Sequence, residues 1–143
     1  YNIKPGYPNL IERIESALLS CGNDFDNNDN PLECGFDKFV NLDTDVEFVG
    51  KGELIKIQSN GINKRLMGIT IDTNFINVSS SMNVYDQNDN TIGELRSGIF
   101  SPHFKKVIGI VMVKKPFWNF TELCKIEIEG ESFNGSLCEL PFL

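Results

Sequence analysis

Apolar residues at helical spacing open the chain. Leu10, Ile11, Ile14, Ala17, Leu18 and Cys21 recur every three or four positions after Pro8, the period that gathers them on one face of an α-helix. Asn9 stands where an N-cap belongs, Glu12 three residues on completes a capping box, and Gly22 marks the stop. On this wheel Glu15 projects between Ile11 and Leu19, beside the apolar stripe centred on Ile14 and away from Glu12 and Ser16. A carboxylate at that edge is half-buried, and pairing with an Arg or Lys is its ordinary explanation. A second, shorter helix is predicted over residues 51–58, closed by Asn60-Gly61.

From there the period changes to two. RLMGITI alternates, SMNVYD and TIGELRS flank a turn at Gln87-Asn88-Asp89-Asn90, and KVIGIVMV is a continuous apolar run of the kind buried on both faces. KIEIEGESFNGSLCEL predicts a hairpin around Gly130-Glu131. About five strands in succession suggest a small antiparallel barrel or sandwich. The fold class is therefore α+β, with the change of organisation near Asn60 to Lys64: residues 1–62 form a helix and loop segment, and residues 63–143 a β-barrel.

Composition narrows the function classes. With 143 residues and 41% hydrophobic content the chain can build one real core. A formal charge of -7 argues against a nucleic-acid binder, because affinity for phosphate backbones rests on Lys and Arg. Lys105-Lys106 and Lys114-Lys115 are accordingly read as solvated surface. No apolar run approaches the roughly 20 residues a membrane helix needs, so no membrane role is expected, and a cytoplasmic location is. The chain opens on Tyr1, which points to a piece of something longer. Oligomeric state is not legible, a homodimer being compatible with the sequence.

The stretch GNDFDNNDNPLE raises the possibility of calcium, since it crowds Asp24, Asp26, Asn28, Asp29, Asn30 and Glu33 together. A hand-type loop needs Gly at its sixth position and a bidentate Glu at its twelfth. Counted from Asp24, those places hold Asp29 and Gly35. A solvated, turn-forming loop is expected, and no metal site. Cys21, Cys34, Cys124 and Cys138 include no C-x-x-C and read as reduced, semi-buried thiols. His103 has no catalytic partners at a recognisable spacing and reads as a surface loop residue. No catalytic residue is assigned. The matches to N-x-S/T at Asn77, Asn119 and Asn134 are attributed to chance, and PFWNF, with Phe117, Trp118 and Phe120, to a cover over the barrel end.

Four motifs in one order carry a resemblance: LIERIESALLSCGNDFDNNDNPLECGFDKFV, FVGKGEL, GELRSGIFSPHFKKVIGIVMV and the closing CELPF. Together they resemble the C-terminal part of the folate-dependent aminomethyltransferase family, which spans the T-proteins of glycine cleavage and the dimethylsulfoniopropionate demethylases of marine bacteria. The resemblance is greatest to the demethylases: where the T-protein pattern reads T-S-G-x-x-S-P-x-L, Arg96 takes the Thr place and Phe104 the Leu place.

The resemblance implies a tetrahydrofolate cofactor and, for residues 1–62, the end of a folate-binding lobe. By matching RIES, Glu15 inherits the residue that faces the pterin ring. It implies a small-molecule substrate, dimethylsulfoniopropionate, whose sulfonium methyl would pass to N5 of tetrahydrofolate to give methylmercaptopropionate and 5-methyltetrahydrofolate. The alternatives it leaves open are aminomethyl transfer in glycine cleavage and a folate module of a flavin-linked demethylating dehydrogenase. A fourth group of relatives, which binds folate without transferring carbon, carries a K-G-C-Y-x-G-Q-E motif, whereas this chain has FVGKGEL without the Cys.

Overall fold

Strand alternation resolves into a closed barrel in the computed structural model, which describes residues 9–78, 80–118 and 123–142. Its strands are β1 (Lys64–Ile71), β2 (Met82–Tyr85), β3 (Thr91–Ser101), β4 (Lys106–Lys114), β5 (Leu123–Ile128) and β6 (Glu131–Cys138). They close in the order β1-β4-β3-β2-β5-β6, every pairing antiparallel, so no sheet edge is left open. β5 and β6 meet through a two-residue turn at Glu129 (φ 51°) and Gly130 (φ 84°), the doubly positive geometry that suits a tight hairpin. The turn thus sits one residue earlier than expected, with Glu131 already in β6.

Two cores share the barrel wall. Met67, Ile69, Ile71, Val107, Val111, Val113 and Ile126 fill the interior. Leu66, Ile108, Ile110 and Met112 point outward and pack with Ile14 and Cys34 of the preceding segment. This double burial is why the β4 run is continuously apolar. Phe117 and Trp118 pack against the interior core, in keeping with the expected cover. Phe120 and Asn119 of the same motif lie outside the described residues.

β3 runs on to Ser101 through a bulge. Leu95 pairs with Val111 and Ser97 with Ile110, leaving Arg96 as the extra residue. An inserted residue inverts the in-and-out alternation beyond it. Leu95 faces the interior before the bulge, whereas Phe100 packs inward and Ile99 outward after it. Ser97 and Ser101 share the outward side with Ile99. Gly109 on β4 lets this happen: a Cβ there would meet Leu95 Cδ1 at 2.6 Å and the Ser97 carbonyl at 2.7 Å.

Helix α1 spans only Leu10–Glu15, which corrects the longer helix expected to Cys21. The capping box is present, with Asn9 Oδ1 accepting from Glu12 N–H at 2.9 Å. The helix stops because Ala17 adopts φ 52° and the chain reverses. Ala17 N–H donates to the Ile14 carbonyl at 3.0 Å and Leu18 N–H to the Arg13 carbonyl at 2.8 Å, the paired bonds of a Schellman closure. Only Ile14 of the helix is buried, while Leu10 and Leu18 are exposed. Helix α2 runs over Lys51–Asn60, two residues longer than expected. Its first residue, Lys51, is buried and donates through Nζ to the Thr44 carbonyl at 2.5 Å and the Val46 carbonyl at 3.2 Å.

Candidate functional site

Glu15 closes α1, half-buried as its wheel position required. Its Oε1 accepts the hydroxyl proton of Ser101 at 2.5 Å, and its backbone carbonyl accepts from Phe142 N–H at 3.1 Å. Ser101 is fully buried at the end of β3, and its Oγ accepts from Phe104 N–H at 3.1 Å. Among the described residues Oε2 of Glu15 takes no hydrogen bond. The expected Arg or Lys partner is therefore replaced by a barrel hydroxyl, which fixes one carboxylate oxygen and leaves the other free to accept.

The helix that carries Glu15 is fastened by a second carboxylate. Asp24 is completely buried and accepts from Arg13 Nη1 at 2.5 Å, from Ser20 N–H at 2.6 Å and from Ser97 Oγ at 2.5 Å. Further along the same loop, Asp29 has a fully buried side chain, 2.5 Å from Lys64 Nζ and 3.8 Å from Arg96 Nη1. Arg96 Nε lies 3.0 Å from Glu94 Oε2 but makes no hydrogen bond there. Burial opposes ionisation of Asp29, but bonds from Lys64 and from Asp26 N–H, with the charges of Lys64 and Arg96, outweigh it. The carboxyl is held below its ordinary range.

These contacts correct the expectation of a solvated loop. Asp26 and Asn28 are exposed as expected, whereas Asp24, Asp29 and Glu33 turn inward to meet cations from α1, β1 and β3. A desolvated carboxylate is tolerable only when paired and hydrogen-bonded, and each of these is. Among the described residues no group of His, Cys, Asp and Glu is arranged to hold a metal. His103 is exposed and meets Phe104 edge to face, with centroids 4.8 Å apart. All four cysteines are free. Cys21 is exposed rather than semi-buried, while burial first, joined by the carboxylates of Asp29 and Glu33, pushes the Cys34 thiol up to about 11.

Ser97 and Ser101 were not singled out in the sequence. The signal was two hydroxyls four apart in RSGIFSP, at positions where a regular strand would have put both on the side opposite to its outward apolar residues. Only the bulge at Arg96 brings them under the segment that precedes the barrel. A groove of about 530 Å³ opens beside the next turn, lined by Leu18, Leu19, Phe36, Phe39, Leu140 and Pro141 among others. Glu15 itself lines neither this groove nor the cavity of about 480 Å³ beside Glu33, Arg65 and Trp118.

Comparison with known proteins places this arrangement. Residues 64–143 match the family of the glycine cleavage T-protein C-terminal barrel domain. An aminomethyltransferase of Synechococcus elongatus is 29% identical over 130 residues, covering 91% of this chain and 34% of the relative. The dimethylsulfoniopropionate demethylase of Ruegeria pomeroyi is 33% identical over 117 residues, covering 82% and 31%. The crystal structure of the glycine cleavage system aminomethyltransferase T from Bartonella henselae shares the fold, with a TM-score of 0.83 at 21% identity over 94% of this chain and 37% of that one. The chain spans about a third of the length of these relatives.

Proposed function

This chain belongs to the family of the glycine cleavage T-protein C-terminal barrel domain, and we propose that it is the C-terminal part of a cytoplasmic, tetrahydrofolate-dependent one-carbon transferase. The observation that carries the reading is the family match across the whole barrel. Glu15 fits a pterin chemically. A pterin presents a ring N–H beside an exocyclic amine, both donors, and an ionised carboxylate has about four lone-pair sites to offer them. Ser101 uses one of those on Oε1, so acceptor capacity remains on both oxygens. Tetrahydrofolate supplies the nucleophilic N5 that takes the carbon. What this chain contributes is an oriented acceptor, held by the barrel.

Residues 1–62 are read as the end of the folate-binding lobe. Leu10, Leu18, Phe39, Val46, Phe48, Val49 and Ile55 are all exposed in this stretch. Lobes of the kind the longer relatives possess would cover them.

Within the family, demethylation of dimethylsulfoniopropionate is favoured by Arg96 at the Thr place of the T-protein pattern, whereas identity does not discriminate, being 33% both to the Ruegeria demethylase and to an aminomethyltransferase of Neisseria meningitidis. In that reaction the methyl carbon leaves sulfur for N5, the sulfur keeps the bonding pair, and the N5 proton goes to solvent. A sulfonium is already an activated leaving group, so orientation supplies much of the catalysis without a protein nucleophile. Aminomethyl transfer is the second reading, favoured by the 91% coverage in the match to the Synechococcus enzyme. Supplying the full-length protein with tetrahydrofolate and either substrate separates them. Formation of 5-methyltetrahydrofolate from dimethylsulfoniopropionate is expected, and preference for an aminomethyl-lipoyl carrier protein would establish the second reading instead.

A further inference from the structure

Hydrogen-bond direction along Ser101 is fixed by its neighbours. A serine hydroxyl has one proton to give and two lone pairs to accept with. Phe104 N–H can only donate, and it donates to Oγ at 3.1 Å. An ionised Glu15 carboxylate can only accept, and its Oε1 lies 2.5 Å away. The proton of Ser101 therefore points at Oε1. Because Ser101 is fully buried on a barrel strand, this relay ties the last side chain of α1 to the rigid part of the molecule.

We propose that Ser101 is a positioning residue for folate: it acts through Glu15 by choosing which oxygen is turned inward and by fixing the side chain before the ligand arrives. The proposal rests on the reading of Glu15 as the pterin acceptor. A free glutamate side chain loses a large share of rotamer entropy when it is ordered. Here the ordering is done by Ser101 during folding, so binding does not incur it. Helix α1 is too short to hold the side chain unaided, since the chain reverses at Ala17 directly after it.

The inward choice has a consequence that a merely structural serine would not produce. In Glu15→Gln the two ends of the side chain are no longer equivalent. Ser101 donates, so it selects the amide oxygen and leaves the NH₂ group on the open side, against the donors of a pterin. With Ser101 removed, the amide is free to turn and present its oxygen outward. Removing the hydroxyl should thus harm the parent protein and help the Gln variant.

The test is a titration of tetrahydrofolate into the full-length protein and its Glu15→Ala, Glu15→Gln, Ser101→Ala and Ser101→Ala/Glu15→Gln variants, with thermal melting of each. Ser101→Ala alone is expected to weaken binding about fivefold, the scale of one hydrogen bond. The double variant is expected to bind more tightly than Glu15→Gln alone. Should Ser101→Ala not fold, Ser101→Cys keeps nearly the same shape with a much weaker donor and is expected to give the same order. A double variant weaker than Glu15→Gln by the same factor that Ser101→Ala costs the parent would overturn the positioning role while leaving the pterin reading intact. Parental affinity in Glu15→Ala would instead remove the pterin reading and the proposal with it.

Discussion

Arg13 Nη1 and Asp24 Oδ2 lie 2.5 Å apart beneath the end of α1, with the aspartate wholly out of solvent and the guanidinium partly so. Ser97 joins them, its Oγ accepting from Arg13 Nη2 at 3.2 Å and donating to Asp24 Oδ1 at 2.5 Å. With Glu15–Ser101 and Asp29–Arg96, this triangle makes the polar connection between the segment that bears Glu15 and the bulged strand of the barrel. Asp24→Ala would leave a partly buried guanidinium without its counter-charge, and the expected loss of stability is about 3 kcal/mol, the lower end for a buried pair. Urea unfolding of the 143-residue chain, followed by the fluorescence of Trp118, its single tryptophan, measures it. A loss below about 1 kcal/mol would mean that the pair is solvated, as surface pairs are.

Ala17 offers the opposite sign. It occupies φ 52° at the place where a helix end usually has glycine, and a left-handed backbone costs an L-residue roughly 1 to 2 kcal/mol. Part of that is offset by the greater unfolded-state freedom of glycine. Ala17→Gly is therefore expected to stabilise the chain by about 0.5 to 1 kcal/mol in the same unfolding experiment, and a destabilised variant would show that the helix does not end there.

Asp29 sets an acid limit. Its carboxyl is held below the ordinary carboxylate range in the folded chain, so the unfolded state binds its proton first as the pH falls. Its contribution to stability is complete above the unfolded pKa and is lost as the pH drops through the lower folded value. The difference in stability between the parent and Asp29→Asn is expected to be constant from neutral pH to about 5 and to shrink below about 4. A difference that is unchanged down to pH 2 would exclude the ion pair with Lys64.

Calcium should have no effect. The carboxylates of Asp24 and Asp29 are engaged by Arg13 and Lys64, so a cation would have to displace buried side chains to reach them. Calorimetric titration of calcium into the 143-residue chain is expected to give no binding at micromolar concentration. A signal lost on replacing Asp24, Asp26 and Asn28 with Ala would contradict this.

Periodicity made the barrel legible where burial follows the strand directly. The β4 run announced two buried faces, and the hairpin between β5 and β6 lay within one residue of its expected turn. Helix α1 was overread because Leu18 and Cys21 continue the helical spacing by coincidence, whereas the stop depends on the backbone of Ala17, a residue that carries no turn signal. The loop was misread for a different reason. Asp24 and Asp29 look like their exposed neighbours in composition, and what draws them inward is Arg13, Lys64 and Arg96, the last two arriving from strands distant in sequence. The half-burial of Glu15 was legible by its place on the wheel, but its partner Ser101 was not, because one bulged residue decides which way β3 faces.

The most direct test of the account is the affinity of the full-length protein for tetrahydrofolate with and without the Glu15 carboxylate. Glu15→Ala would strip the acceptor and leave the pterin donors buried without partners. The expected loss in binding is roughly 2 to 4 kcal/mol, with turnover at saturating folate less affected because the pterin edge is remote from the migrating carbon. Unchanged affinity, with parental turnover at every folate concentration, would contradict it and return Glu15 to a purely structural role at the end of α1.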